Sequence, residues 1–187
     1  MTKRIAQVEK ELPFPVKGFA CDNGTEFLNE RLYEHWTKRE NPVDFVRRRP
    51  YQKNDSAHVE QKNYTHVREL FGYERFDHGE LVPLMNEIYQ QYWNPLWNYF
   101  TPVMKLKSKE RVGAKIVKKY DEPKTPYQRL LLSPDLSQED KDRLKQRMAG
   151  LNPFHLKKQL DAKLKIFFNL VDHFKRLDSV TPDSEPR

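Results

Sequence analysis

Two short apolar runs separated by an amphipathic segment constrain the fold of this chain more than any other feature. The runs cover residues 16–21 and 43–46, and the apolar periodicity between them predicts a helix over 26–39. A basic loop at 47–56 follows the second run and leads into a second amphipathic helix. Strand–helix–strand order is the unit from which parallel sheets are built, so the sequence predicts an α/β fold.

Two carboxylates occupy special places in this unit. Asp22 follows the first strand directly, and Glu60 lies in the first turn of the second helix. Tyr64, Val67 and Phe71 share a helical face with Glu60 at 3.6-residue spacing, so Glu60 is expected to point toward the sheet. An inward carboxylate needs a cation, and a divalent metal of the magnesium type would supply one. The alternative is structural, because an aspartate before Asn-Gly favours a turn and a glutamate favours a first helical turn.

Three sequence segments resemble a known family. They are Phe19-Ala-Cys-Asp22-Asn-Gly-Thr-Glu-Phe27, Arg49-Pro-Tyr-Gln-Lys-Asn-Asp-Ser56 and His58-Val-Glu60-Gln-Lys-Asn63. Together they resemble the second half of the integrase catalytic core, found in retroviral integrases and bacterial insertion-sequence transposases. The bacterial branch is the more similar, over about residues 1–131. The resemblance implies a partial ribonuclease-H-like fold with a basic, partly helical C-terminal extension.

The resemblance also implies a chemistry. In this DDE-type family three carboxylates bind two Mg²⁺ or Mn²⁺ ions, and Asp22 and Glu60 would be the second and third. Two metals held in this way activate a nucleophile and stabilise both oxygens of an in-line phosphoryl displacement. The implied reaction is strand cleavage at the ends of a mobile element, followed by joining of those ends to target DNA. The implied partner is therefore DNA.

The N-terminal part departs from the family pattern. The family's first catalytic aspartate lies on an upstream strand, whereas the residues before Asp22 predict a helix from Arg4 to about Leu12. Glu9 and Glu11 belong to that helix and cannot replace a strand-borne aspartate. We therefore expect an N-terminally truncated transposase of marginal stability, whose enzymatic activity depends on the missing portion. The alternative is a catalytically inactive DNA-binding or protein-binding remnant that regulates an intact transposase.

Charge is unevenly distributed along the chain. Lysine plus arginine number 34 against 27 acidic residues, a net charge of +7. The counts are 14 against 15 in residues 1–100 and 20 against 12 in residues 101–187, so the excess belongs to the second half. Such asymmetry indicates an acidic polymer as partner, with nucleic acid first, although a solvated surface is the alternative. The candidate DNA-binding residues are Arg47, Arg48, Arg49, Lys53, Asn54, Lys62, Asn63, Lys105, Lys107, Lys109, Arg111, Lys118 and Lys119.

The sequence after residue 76 predicts helices joined by basic and proline-containing segments. Asp77 and Glu80 form a capping-box pattern before a helix rich in aromatic residues, which Pro95 should end or kink. Those aromatic residues are predicted to belong to the core, with base stacking as the alternative. Ile116 within the basic run indicates an extended segment or short β-ribbon. Prolines mark a linker, at Pro123, Pro126 and Pro134.

These patterns give an expected domain organisation. The last helix, 153–177, carries an apolar stripe headed by Phe154 that is expected to pack on the body of the protein or on a second copy, so a homo-oligomer is possible. One cysteine, no secretory signal and no membrane-spanning run indicate a cytoplasmic, nucleoid-associated bacterial protein with no membrane partner. The expected parts are a catalytic-core portion at 1–100, a basic segment and linker at 101–135, a helical extension at 136–177 and a disordered tail at 178–187.

Overall fold

The structure, a computed structural model, describes residues 2–21, 29–47, 49 and 57–180. The chain mixes helix and strand, so the α/β class is confirmed at this coarse level. It divides into two compact units, Met1–Arg75 and Phe76–Arg187, and each is described by itself. The domain boundaries expected at 100, 135 and 177 stay predictions.

The first unit follows the predicted order of elements. Helix α1 is followed by strand β1, helix α2, strand β2 and helix α3, and a π-helical turn then leads into helix α4. The bounds are Thr2–Glu11 for α1, Gly18–Cys21 for β1, Glu30–Thr37 for α2, Asp44–Arg47 for β2, Ala57–Asn63 for α3, Tyr64–Arg68 for the π-helical turn and Glu69–Phe71 for α4.

Strands β1 and β2 pair in parallel, as the strand–helix–strand order predicts. Gly18 lies opposite Asp44 at one end and Cys21 opposite Arg47 at the other. The connecting helix starts later than its periodicity indicates, because the Asn29 side chain caps it by accepting a 3.0 Å hydrogen bond from the backbone N–H of Leu32. The expected helix start at residue 26 is therefore wrong.

The core of the first unit lies between α2 and the small sheet. Leu32, Trp36 and Val43 are almost fully buried there. Phe19 of β1 stacks on the Trp36 ring at 5.1 Å between centroids and on Phe45 of β2 at 5.7 Å. Aromatic side chains bury large apolar areas, so this cluster supplies the main packing energy of a two-stranded sheet that would be marginal alone.

An ion pair joins α1 to the end of α2. Arg39 lies 2.8 Å from Glu9 and places its guanidinium 5.1 Å from the centre of the Trp36 ring. The hydrogen bond from Arg39 lowers the pKa of Glu9, although partial burial opposes this shift. Both side chains are about three-quarters buried, which makes this a better-shielded pair than an ordinary surface salt bridge.

In the second unit, the described residues 76–180 form four α-helices and one antiparallel hairpin. Helix α5 continues into two π-helical segments, and the hairpin of β3 and β4 precedes helices α6, α7 and α8. The bounds are Leu81–Glu87 for α5, Ile88–Trp93 and Leu96–Phe100 for the π-helical segments, Leu106–Val112 for β3, Lys115–Tyr120 for β4, Pro126–Leu132 for α6, Gln138–Ala149 for α7 and Pro153–Val180 for α8.

Three local predictions for this unit are wrong in whole or in part. The capping box at Asp77 does not form, because α5 begins at Leu81 with Glu80 at its N-cap and no side-chain cap. Pro95 does not end the helix, because wide π-helical turns before and after it accommodate the missing N–H. The segment expected as a linker contains α6, where Pro126 occupies the first turn behind a Thr125 capping box.

Helix α8 packs its stripe within the second unit, against α5 and the π-helical segments. Leu156, Leu160, Phe167 and Val171 are the buried members of the stripe. Phe154 was expected among them but is 85% exposed, since two residues place it about 200° around the helix from Leu156. Helix α8 also runs three residues into the tail expected to be disordered. None of the helices in the described ranges combines the length and apolar composition that crossing a bilayer requires.

Candidate nucleic-acid interface

Of the two predicted metal ligands, only Glu60 belongs to the part of the chain that the structure describes. Asp22 lies outside the described residues. Glu60 lies in the first turn of α3, as predicted, but its side chain is exposed, so its expected inward orientation is wrong. The π-helical turn at 64–68 is the reason, because its wider turns break the 3.6-residue phase between Glu60 and the buried Phe71.

No group of three or more histidine, cysteine, aspartate or glutamate side chains placed to hold a metal occurs among the described residues. His66, within the π-helical turn, is half-buried. Burial lowers its pKa, and the positive charge of Lys62 lowers it further. His66 is therefore neutral at physiological pH and adds no positive charge to this helix.

The predicted DNA-binding residues of the first unit are only partly described. Arg48, Lys53 and Asn54 lie outside the described residues. Arg47 ends β2 and is exposed, and Arg49 is exposed two residues later. The other two, Lys62 and Asn63, are exposed at the end of α3.

The predicted basic segment of the second unit is a β-hairpin, as the ribbon prediction indicated. Strands β3 and β4 are joined by the two-residue loop Gly113-Ala114, with Val112 opposite Lys115 and Gly113 at a φ of +62°. Apart from the half-buried Ser108, every residue of the two strands is exposed. Residues 106–120 hold six lysines and arginines against one glutamate, so this hairpin carries a net charge of +5 in a chain whose net charge is +7.

The strand register separates the hairpin into two faces. Cross-strand partners share a face and alternate residues lie on the same side, so Lys109 and Arg111 lie with their partners Lys118 and Ile116. We call these four residues the lysine-pair face, and Tyr120 continues the same side at the end of β4. The opposite face, which we call the valine face, holds Ser108, Glu110, Val112, Lys115, Val117 and Lys119. The register shifts at Lys107, which is therefore assigned to neither face.

The lysine-pair face carries an unfavourable juxtaposition. Lys109 and Lys118 lie directly opposite each other, and like charges at such a cross-strand position destabilise a hairpin. Their four-residue face holds three cations and no acid, whereas the valine face holds two lysines, Lys115 and Lys119, with Glu110 among them. A bound anion would remove the repulsion on the lysine-pair face.

The base of the hairpin is fixed by a hydrogen-bonded ion pair that sequence reasoning missed. Arg129 of α6 donates to both carboxylate oxygens of Asp121, at 2.6 and 3.1 Å, and to the carbonyl of Val103 at 2.7 Å. Asp121 also accepts a 2.6 Å bond from the backbone N–H of Lys105. The Arg129 and Lys105 hydrogen bonds lower the pKa of Asp121 to about 2, so it is ionised at physiological pH.

A sequence signal could have revealed α6 but not this ion pair. Thr125 and Gln128 form a reciprocal capping box, and the Thr-Pro-x-Gln pattern is visible in the sequence. The pairing of Asp121 with Arg129 depends on the turn between β4 and α6, which spacing alone does not specify. A Val103–Lys124 bridge closes the same base with backbone hydrogen bonds of 3.0 and 3.3 Å.

The aromatic residues of the second unit belong mainly to packing. Tyr99 is 8% exposed and lies 5.2 Å from the ring of Tyr127 in α6. Trp93 and Trp97 are half-buried and stack on each other at 5.5 Å. The burial of Tyr99 and the mutual stacking of the tryptophans fit the core prediction better than a platform for bases.

Comparison with known proteins finds a relative, but it does not show the family to which the chain belongs. An uncharacterized protein of Sinorhizobium fredii, y4rM, is 38% identical over 125 residues, which is 67% of this chain and 35% of that protein. The chain thus spans about a third of the length of the curated relative it matches. No protein-family model matches the chain. No solved structure matches it.

Proposed function

We propose that this chain is a DNA-binding part of a DDE-type transposition protein with a ribonuclease-H-like integrase core, and that the basic hairpin contacts DNA. The observation that carries the proposal is the hairpin itself, which holds a net charge of +5 on two exposed strands. Such a surface attracts a polyanion, and nucleic acid is the polyanion that the proposal names.

The fixed base of the hairpin supports a binding role. Arg129 of α6 donates to Asp121, just after β4, and to the carbonyl of Val103, shortly before β3. Both ends of the hairpin are therefore held in place against α6. A preorganised charged surface loses less conformational entropy on binding than a flexible basic tail would lose. The hairpin therefore presents DNA with a preorganised surface as well as positive charge.

The catalytic part of the proposal depends on the first unit. Support comes from the parallel pairing of β1 with β2 and from α3, which follows them and carries Glu60 in its first turn. Asp22 and Glu60 would then help to hold Mg²⁺ or Mn²⁺. That metal would supply the activation of water or a 3′-hydroxyl for attack on a DNA phosphodiester.

A second candidate is a DNA-binding module that does not cleave DNA and that regulates an intact transposase. The exposed Glu60 favours this reading, because an exposed carboxylate needs no metal to compensate its charge. Both candidates share the hairpin as DNA contact. They differ in whether metal binds at Asp22 and Glu60.

The DNA-binding proposal is tested by removing the hairpin beyond its base. Leu106 and Tyr120 are paired, so joining them through Asn-Gly in place of 107–119 closes the ladder with a favoured two-residue turn. The shortened chain should lose binding to a fluorescein-labelled 20-base-pair duplex in fluorescence anisotropy while keeping its far-UV circular dichroism. The charge control is Lys158→Gln with Lys165→Gln, at exposed positions of α8, which should bind nearly as the native chain does.

The metal proposal is tested by Mn²⁺ titration in an isothermal calorimeter. Asp22→Asn and Glu60→Gln should each weaken Mn²⁺ binding relative to the native chain, because each removes a hard oxygen charge. Glu69→Gln, at another exposed glutamate of the same helical region, is the matched control. Equal Mn²⁺ binding by the native chain and all three variants would favour the non-catalytic candidate.

A further inference from the structure

We infer that the lysine-pair face of the hairpin, centred on Lys109 and Lys118 with Arg111 beside them, is the surface that contacts the phosphates of double-stranded DNA. This inference rests on the proposed DNA-binding function and adds which side of the hairpin meets the duplex. The starting observation is the register, which places the two lysines directly opposite each other. Both are exposed, and Lys109 lies two residues from Arg111 on the same strand.

The charge difference between the two faces selects the contact surface. The lysine-pair face has three cations around Ile116, a net charge of +3 on four residues. The valine face includes Glu110, whose carboxylate would approach phosphate unfavourably, and its net charge is +1 on six residues. Phosphate contact through Lys109 and Lys118 turns a destabilising cross-strand pair into a binding pair.

Accessibility points to the same face. Lys109, Arg111, Ile116 and Lys118 are all exposed. On the valine face, Ser108 is half-buried at the base of the hairpin. A partner that spans the whole hairpin therefore meets less steric obstruction when it approaches the lysine-pair face.

The shape of the hairpin favours a B-form duplex among nucleic acids. A two-stranded β-ribbon fits the major groove of B-DNA, whereas the major groove of an RNA duplex is too narrow to admit side chains. Proteins that bind single strands stack successive bases on several aromatic side chains, whereas Tyr120 is the one aromatic residue of β3 and β4. Contacts from lysine and arginine to phosphate carry no sequence information, so binding through this face should be largely independent of base sequence.

The test compares two double variants that remove equal charge from opposite faces of the full-length chain. Lys109→Gln/Lys118→Gln alters the lysine-pair face, and Lys115→Gln/Lys119→Gln alters the valine face. Affinity for the 20-base-pair duplex is measured by fluorescence anisotropy at several salt concentrations. The first variant should lose about tenfold or more in affinity, and its slope of log K against log salt should fall by about 1.8, or about 0.9 for each lost phosphate contact. The second variant should change the slope by less than about a third of that amount.

Each outcome separates the face assignment from the broader proposal. Equal losses in both variants would overturn the face assignment and leave hairpin binding intact, because affinity would then follow net charge alone. Unchanged affinity in both variants, together with DNA binding by the chain lacking 107–119, would overturn both proposals. Tighter binding to an RNA duplex or to single-stranded DNA of the same sequence would also overturn the inference.

Stability provides an independent readout. Removing the opposed charges in Lys109→Gln/Lys118→Gln should leave the melting temperature unchanged or slightly raised, because it relieves repulsion. A loss of affinity accompanied by a lowered melting temperature would mean that the lysines act through hairpin structure, which would overturn the assignment.

Discussion

The described residues of this chain form two two-stranded sheets that are stabilised in different ways. The parallel pair of β1 and β2 is covered by α2, and Phe19 of β1 stacks on the buried Trp36. The antiparallel pair of β3 and β4 leaves nearly every side chain in solvent. The first sheet depends on apolar packing, whereas the second depends on its backbone ladder and on the Arg129–Asp121 pair at its base.

The difference indicates separate roles for the two sheets. A parallel pair needs a crossover helix and buries its faces, which makes it a scaffold for residues at the carboxyl ends of its strands. An exposed hairpin with like charges opposed gives up stability, and proteins retain such features where function needs them. Changes that remove packing should therefore affect the first sheet most, and changes at the base or loop should affect the second.

The largest expected effect is that of Trp36→Ala. Trp36 is 2% exposed and contacts Phe19, so its truncation removes the centre of the small core. We expect a loss of about 3–5 kcal/mol in the free energy of unfolding, measured by urea denaturation followed by circular dichroism. Cross-strand nuclear Overhauser effects of the hairpin should persist, because the contacts at its base lie within residues 103–129.

Trp36→Phe is the matched variant for this prediction. It keeps an aromatic ring against Phe19 and should lose markedly less stability than Trp36→Ala. A cost below about 1 kcal/mol for Trp36→Ala would contradict the view that packing holds the parallel sheet.

The two sheets also differ in how much of each could be predicted from the sequence. The parallel pair was predictable because its apolar runs and crossover helix are local patterns, and the β-ribbon was indicated by Ile116 within a basic run. The orientation of Glu60 was not predictable, since one π-helical turn shifts the helical phase after it. The Asp121–Arg129 pair was missed because it depends on how the chain turns between β4 and α6.

The second prediction concerns Arg129→Met, which keeps an unbranched, flexible side chain and removes its donors. Asp121 and the carbonyl of Val103 lose their partner, so the hairpin base should open. Amide hydrogen exchange in β3 and β4 should accelerate, and affinity for the DNA duplex should fall even though no hairpin lysine has changed. Arg129→Lys should restore part of the protection, because one ammonium cannot reproduce the bidentate geometry. Unaltered exchange in Arg129→Met would show that the ladder alone holds the hairpin.

The third prediction concerns the loop of the hairpin. Gly113 has a φ of +62°, a left-handed conformation that costs a β-branched residue about 1–2 kcal/mol. Gly113→Val should therefore weaken the hairpin, seen as loss of the cross-strand contact between Val112 and Lys115. Gly113→Asn should be nearly neutral, since asparagine tolerates this conformation. Equal behaviour of the two variants would argue against a left-handed loop.

The smallest expected effect is confined to acidic pH and concerns the ionisation of Asp121. The pKa of Asp121 is lowered from 3.8 to about 2 by hydrogen bonds from Arg129 and the backbone of Lys105, with Lys124 adding positive charge nearby. Because the folded value lies below the unfolded one, the stabilisation is fully present above pH 3.8 and is lost as pH falls through about 2. The Lys105 amide resonance should therefore titrate near pH 2 and stay constant from pH 4 to 7. Asp121→Asn should abolish this step, and a midpoint near 3.8 in the native chain would mean that the ion pair does not form in solution.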